Sequence, residues 1–384
     1  MKNLQINIFT NELVWMGLVD NVKSLVHRSS WHEIVNSELT VSKTSQGVQE
    51  IQIGRILVVN NQREKALIVE DLRATLNDEY ITFTCIPLKG MLNYRIVHPL
   101  DSGASGSWVA KKQSQVMMWM ASDNLITQTR DLDRKFWNLA RTKNMFQIST
   151  VKSYGNTIDY TVDWETGYMG DAITSIAKNS TRPLGWNIYI TENFSAFELD
   201  VYQATEKHIN QSILPPVVFS EEFGNISNAS YEYSIKEWRN VVYMIWSALN
   251  STVINNTPIG NTNKGATFSF NRKELIYNST KKTTTEITSD GSSELNKRPH
   301  VESFTAEILN NEKTMTTYRT NWNVGDVVTV QSSKVIRDKK ISIDAQIIEI
   351  EEIYESGEYT INATFGIGKL TLLKLIKQSI EQKK

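Results

Sequence analysis

The stretch Trp322-Asn323-Val324-Gly325-Asp326-Val327-Val328-Thr329-Val330 reads as a tight turn that delivers the chain into a strand. Glycine accepts a positive φ, aspartate bonds nearby backbone amides, and the β-branched run that follows suits a pleated sheet. Further on, apolar residues fall at Ile341, Ile343, Ala345 and Ile347, then change phase to Ile348 and Ile350. A β-bulge has this signature, because one extra residue re-aims every side chain after it. Glu355-Ser356-Gly357-Glu358 predicts a turn, after which Tyr359, Ile361, Ala363 and Phe365 alternate again. The predicted unit is a bulged hairpin with one apolar face, a piece suited to closing a small barrel.

Outward from that hairpin, the pattern divides the chain. Residues 1–98 predict an N-terminal β-barrel domain: Leu4, Ile6 and Ile8 alternate, as do Leu13, Trp15, Gly17 and Val19, and further strands are expected near Leu39 and Val41, over 51–59 and over 80–86. Residues 99–184 predict a helical or mixed insert that opens on the flexible joint Asp101-Ser102-Gly103-Ala104-Ser105-Gly106-Ser107. Helices are expected there around Val109, Val116, Met117 and Met120, around Leu132, Phe136, Leu139 and Ala140, and over 171–177. The Met117-Met118-Trp119-Met120 run is read as core rather than as an adaptable binding face.

Residues 185–368 predict a second β-rich barrel region, allowed to be discontinuous. Trp186, Ile188 and Ile190 alternate, Phe197, Leu199 and Val201 follow, and residues 241–246 form the unbroken apolar run of a buried strand. A mobile loop is expected over 278–299, where Thr, Ser, Lys and Asp show no period, and a helix over 301–310. Residues 369–384 predict a C-terminal helix striped by Leu372, Leu373, Ile376 and Ile380. The fold class expected is mainly β with helical inserts (α+β).

Composition narrows the function. A chain of 384 residues exceeds what one core usually fills. Its 41 Lys+Arg against 42 Asp+Glu leave a net charge of −1, without the basic footprint of stable nucleic-acid binding. The start lacks the apolar centre of a signal peptide, and no run of about 18 apolar residues predicts a membrane span. Cys85, the sole cysteine, lies on one strand face with Ile81 and Phe83 and is read as a core thiol.

Catalytic chemistry is hard to place. His27, His32, His98, His208 and His300 stand singly, without metal-binding spacing, and Phe365-Gly366-Ile367-Gly368-Lys369 lacks the glycine spacing and hydroxyl of a phosphate loop. The carboxylates Glu349, Glu351, Glu352 and Glu355, with Glu221 and Glu222, offer the sharpest enzymatic reading, glycosidic cleavage. Charges on a solvent-facing hairpin edge that discourage strand addition are the preferred reading. No catalytic, cofactor-binding or metal-ligating residue is expected, no cofactor, and no enzyme activity.

Five phrases, in order, carry a resemblance. They are Ile53-Gly54-Arg55-Ile56-Leu57, Leu88-Lys89-Gly90-Met91-Leu92-Asn93-Tyr94-Arg95-Ile96, the stretch 219–234, Asn240-Val241-Val242-Tyr243, and Asn323 to Val330 with the hairpin ending at Phe365-Gly366. In this order the chain resembles the baseplate-hub or tail-associated proteins of long-tailed phages of Gram-positive bacteria, similar to the central hub of contractile tails. The resemblance implies two related β-barrels plus smaller helical or mixed domains in a homotrimer. That ring would close the tail tube, join a distal tail protein hexamer to the tape-measure protein, and open for DNA in transit. It implies a virion protein of the tail tip, made in the host cytoplasm, that also meets receptor-binding proteins and is not stably inserted in a membrane. Relatives often continue into a cell-wall hydrolase or fibre; here the sequence ends soon after Gly368, so none is expected. The alternative is a cell-surface carbohydrate-binding or glycan-cleaving β protein in which Trp15, Trp31 and Trp186 stack on sugars.

Overall fold

Alternation of burial builds the first strands. They are β1 (Ile6–Phe9), β2 (Trp15–Val19), β3 (Val22–Ser30), β4 (Ser37–Ser42), β5 (Ile56–Val59), β6 (Ala66–Ala74) and β7 (Tyr80–Pro87). The apolar run of β5 is buried along its whole length because it has core on both faces. Ile56 and Val58 join one cluster with Ala66, Ile68 and Leu88; Leu57 and Val59 join another with Ile6, Ile8, Leu39, Phe83 and Cys85. Burial pushes the Cys85 thiol up to about 12, as befits a core sulfur. The expected strand over 51–59 is shorter than its sequence pattern, since Gly54 at φ +81° turns the chain before Ile56.

This computed structural model describes residues 4–103, 106–180, 182–248, 251–254, 259–260, 267–279, 284–309, 316–336, 339–355 and 357–366. Next along the chain come β8 (Ser107–Lys112), α1 (Gln113–Ser122), β9 (Phe146–Ile148), β10 (Thr157–Thr161), α2 (Met169–Lys178), β11 (Gly185–Ile190) and β12 (Phe197–Tyr202). Val116, Met117, Met118 and Met120 of α1 are buried with Ile173 and Ile176 of α2, so the methionine run is core. The second expected helix does not form. Only a 3-10 turn, Leu132–Arg134, is present, Leu139 is exposed, and the Asn138 side chain accepts from the Thr142 and Lys143 amides. Asparagine turn chemistry overrides the apolar period there.

The chain divides into two compact units, Met1–Ala229 with Thr305–Phe365, and Ser230–Phe304 with Gly366–Lys384. Strands β13 (Val218–Ser220) and β14 (Ile226–Ser234) lead to the second unit, in which β15 (Val241–Ala248) is flanked by β16 (Ser251–Ile254), β17 (Ile259–Gly260) and a parallel β18 (Glu274–Ser279). Helix α3 (Thr284–Asn296) places Ile287 and Leu295 on Val242 and Met244. Most of the span expected as an aperiodic loop is therefore helix. β19 (Val301–Ile308) is a strand with alternating burial, not the expected helix. The expected C-terminal helix, 369–384, lies outside the described residues.

Back in the first unit, β20 (Val327–Ile336), β21 (Lys339–Glu355) and β22 (Glu358–Gly366) form the bulged hairpin region. The sheet runs β14-β19-β22-β21-β3-β4-β7-β6-β5-β1-β2, with β20 joined to β21 and β13 to β20. This is a mainly β architecture, and its hydrogen-bonded path ends at β2. The predicted change of phase is present: the register of β21 against β22 shifts between Ile347 and Glu349.

Candidate functional site

The bulge has a structural purpose. Up to Gln346, β21 pairs with β20; from Glu349 to Glu355 it pairs with β3 on one side and β22 on the other. Between the two regimes, the carbonyls of consecutive residues serve different partners. Ile347 accepts from the Gly325 amide at 2.7 Å, while Ile348 accepts from the Trp31 amide at 2.9 Å. The strand thus ties the Gly325 turn to the end of β3.

Trp31 occupies the centre of that tie and is nearly buried. Its indole Nε1 donates to the Pro183 carbonyl at 2.9 Å, and its own carbonyl accepts from the Trp186 amide at 3.1 Å. A Cβ built on Gly325 would stand 2.1 Å from the Trp31 ring, and one on Gly185 2.5 Å from it. Two glycines therefore let backbone approach the same indole, and Gly325 also holds φ +93°, which a side chain would resist. Asp326 completes the turn by accepting from the Asn323 amide at 2.8 Å and Lys207 Nζ at 2.9 Å.

Lys89 locks the same corner from the other side. It is 2% exposed and donates to the Ser30 carbonyl at 2.7 Å and the Trp186 carbonyl at 3.4 Å, with the Trp186 ring 5.1 Å away. Burial, opposed by Glu33, pulls its ammonium down to about 7.

Further along β21 the contacts become ionic. Lys65 Nζ lies 2.6 Å from Glu352 Oε1, which also accepts from the Tyr359 hydroxyl at 2.7 Å. Burial alone would raise the Glu352 carboxyl, but the Lys65 ammonium and its hydrogen bond outweigh it and hold the carboxyl below its usual range. His27 Nδ1 stands 3.6 Å from Glu352 Oε2. Nearer solvent, Arg28 grips Glu351 through Nε at 2.8 Å and Nη2 at 2.6 Å.

These positions correct the expected acidic edge. β21 is an inner strand between β22 and β3, and Glu352 is buried at 1% exposure as the anion of an ion cluster. Glu349 and Glu351 line a cleft of about 340 Å³ with Glu307, Asn228 and Asn362. Glu351 is held there by Arg28 and Asn362, and Glu307 by Ser227 and Asn228. Carboxylates tied down in this way are poorly placed as a free acid and base. Glu221 accepts from the Ser332 hydroxyl at 2.7 Å. Among the described residues, no group of three or more His, Cys, Asp or Glu side chains stands together as a metal site. Trp31 and Trp186 are buried and only Trp15 of the three expected sugar-stacking tryptophans is exposed, so they do not form a platform.

Sequence reading missed Lys65, Lys89, Gly185 and the role of His27. Lys89 sits beside an apolar face that a 3-10 segment, Leu88–Tyr94, buries more widely than an α-helix would. His27 fills the inward position that an apolar residue would have marked in β3.

The architecture is one found in phage tail proteins. Across 94% of this chain and 98% of the other, it is similar to the 43 kDa tail protein of prophage MuSo2 from Shewanella oneidensis, with a TM-score of 0.56 at 11% identity. The tail protein from Neisseria meningitidis MC58 is similar at a TM-score of 0.53 and 8% identity, covering 94% of this chain and 96% of that one. The family is fixed by sequence: residues 5–367 match the Siphovirus ReqiPepy6 Gp37-like protein family, and the chain belongs to it. No curated protein sequence matches. Among the described residues, no helix is long and apolar enough to cross a membrane.

Proposed function

We propose that this chain is a structural, non-enzymatic hub protein of the siphophage tail tip. The observation that carries the reading is the family match over residues 5–367, together with a fold shared over nearly the whole chain with phage tail proteins. In this reading, residues 1–98 and 185–368 supply two related barrels around the 99–184 insert. Three copies form a ring that closes the tail tube, with barrel pairs presenting six similar units to a distal tail protein hexamer. The ring holds the end of the tape-measure protein, meets receptor-binding proteins at its rim, and opens for DNA in the virion. Near-neutral charge suits a passage that must not grip the DNA backbone.

The interlocked Trp31 corner and the buried ions on β21 favour a load-transmitting part over a catalyst. Glu351 and Glu307 of the cleft are tied to neighbouring side chains, and Trp31 and Trp186 are buried, so the glycan-binding alternative has no specific support. The test is solution mass with and without the distal tail protein of the same phage. A trimer that joins a hexamer is the expected result; a monomer that ignores the hexamer and retains or cleaves wall polysaccharide refutes the proposal.

A further inference from the structure

His27 of β3 and Glu352 of β21 are direct cross-strand partners. Nδ1 and Oε2 face each other at 3.6 Å, both buried, and neither atom has a hydrogen-bond partner. The other side of each group is occupied. Glu352 Oε1 takes Lys65 and the Tyr359 hydroxyl, while the imidazole engages the Lys65 backbone. A carboxylate is acceptor only, and a neutral imidazole that donates from Nε2 presents Nδ1 as a second acceptor. Two lone pairs thus meet in a dry seam with room for one proton between them.

We propose that this slot is an acid-sensing clasp: when His27 takes a proton, Glu352 is shared between two buried cations, its hold on Lys65 weakens, and β3 loosens from β21. The surroundings set the direction. Lys65, in the turn before β6, and Arg319, before β20, oppose a further positive charge. Glu352 favours it, and Glu64 is engaged by Arg319. Tyr318, Tyr354 and Tyr359 are phenols pushed above their usual range, first by burial and next by Glu352, so they stay neutral and offer no compensating anion. With Arg319 paired to Glu64, a protonated His27 and Lys65 would share the single carboxylate of Glu352, leaving a net positive charge that burial penalises.

Burial, partly opposed by Glu352, correspondingly pulls the imidazole from 6.5 down to about 4. The sign follows: the unfolded chain binds the proton more readily, so this contribution is present above 6.5 and is lost as pH falls through about 4. The depressed Glu352 carboxyl acts in the same direction.

The experiment is hydrogen exchange read by mass spectrometry on the full chain. Exchange at the imidazole Cε1 gives each histidine its own titration, and amide exchange, corrected for intrinsic rates, follows the strands. His27 is expected to titrate near pH 4, well below an ordinary histidine. Peptides covering 22–30 and 349–355 are expected to exchange roughly tenfold faster at acid than at neutral pH, with 185–190 and 197–202 unchanged. His27→Gln, which cannot take the proton, should abolish that response, whereas His208→Gln, beside Glu206 and Asp344, should keep it. If His27→Gln does not fold, the wild-type data decide alone. His27 titrating at its ordinary value, or β3 and β21 opening no more than β11 and β12, overturns the clasp.

Discussion

The two ends of the β21–β3 tie are built from opposite chemistry. At the bulge, Trp31 is held by backbone carbonyls and by two glycines that make room for its ring. A few residues on, Glu352 is held by Lys65 and Tyr359, with His27 facing its other oxygen at 3.6 Å. At the first end the indole itself is held by shape and does not titrate; the second depends on charge balance in a dry site. Shape gives unconditional attachment, and buried charge gives attachment that protonation can alter.

The shape end should break hardest. Gly325→Val combines an unfavourable positive φ with a clash against Trp31, and should cost on the order of 5 kcal/mol. Urea denaturation should show a lower midpoint or no folded chain, and a midpoint equal to the wild type's would mean that the turn has been misjudged.

At the charged end, Lys65→Met leaves Glu352 buried without its cation and should cost about 3–4 kcal/mol. Adding Glu352→Leu should recover most of that loss, because an apolar pair of similar volume needs no compensation. A double-mutant cycle from the same denaturation curves measures the coupling. A double variant as unstable as Lys65→Met would assign the loss to packing instead.

Lys89 belongs to the shape end yet carries a charge, so it sharpens the contrast. Its ammonium is pulled from 10.5 down to about 7. The unfolded chain therefore binds the proton more tightly, and the contribution to stability is present above 10.5 and lost as pH falls through about 7. Relative to Lys89→Met, the wild type should gain melting temperature between neutral and alkaline pH, a difference read by calorimetry. The smallest effect belongs to Arg28→Ala: its pair with Glu351 is partly exposed, and its loss should cost under about 1 kcal/mol, less in high salt.

Much of the fold is legible in sequence where one residue type marks one environment. The Gly325-Asp326 turn, the bulge at Ile347 to Glu349, the α1 methionines and the strand at Val241 were readable because apolar period and turn chemistry agree there. β3 was missed because an inward position carries His27, whose partners Lys65 and Glu352 are distant in sequence. β19 was read as a helix because its ladder, not its local propensity, decides its form. The acidic run on β21 looked like a solvent edge for the same reason: whether Glu352 faces water depends on β3 lying beside it, which no local pattern states.

The direct test of the account as a whole is particle imaging of the assembled tail with this chain located in it. The account predicts three copies at the tail tip, forming a ring beneath the distal tail protein. A tail tip complete without this chain would contradict it.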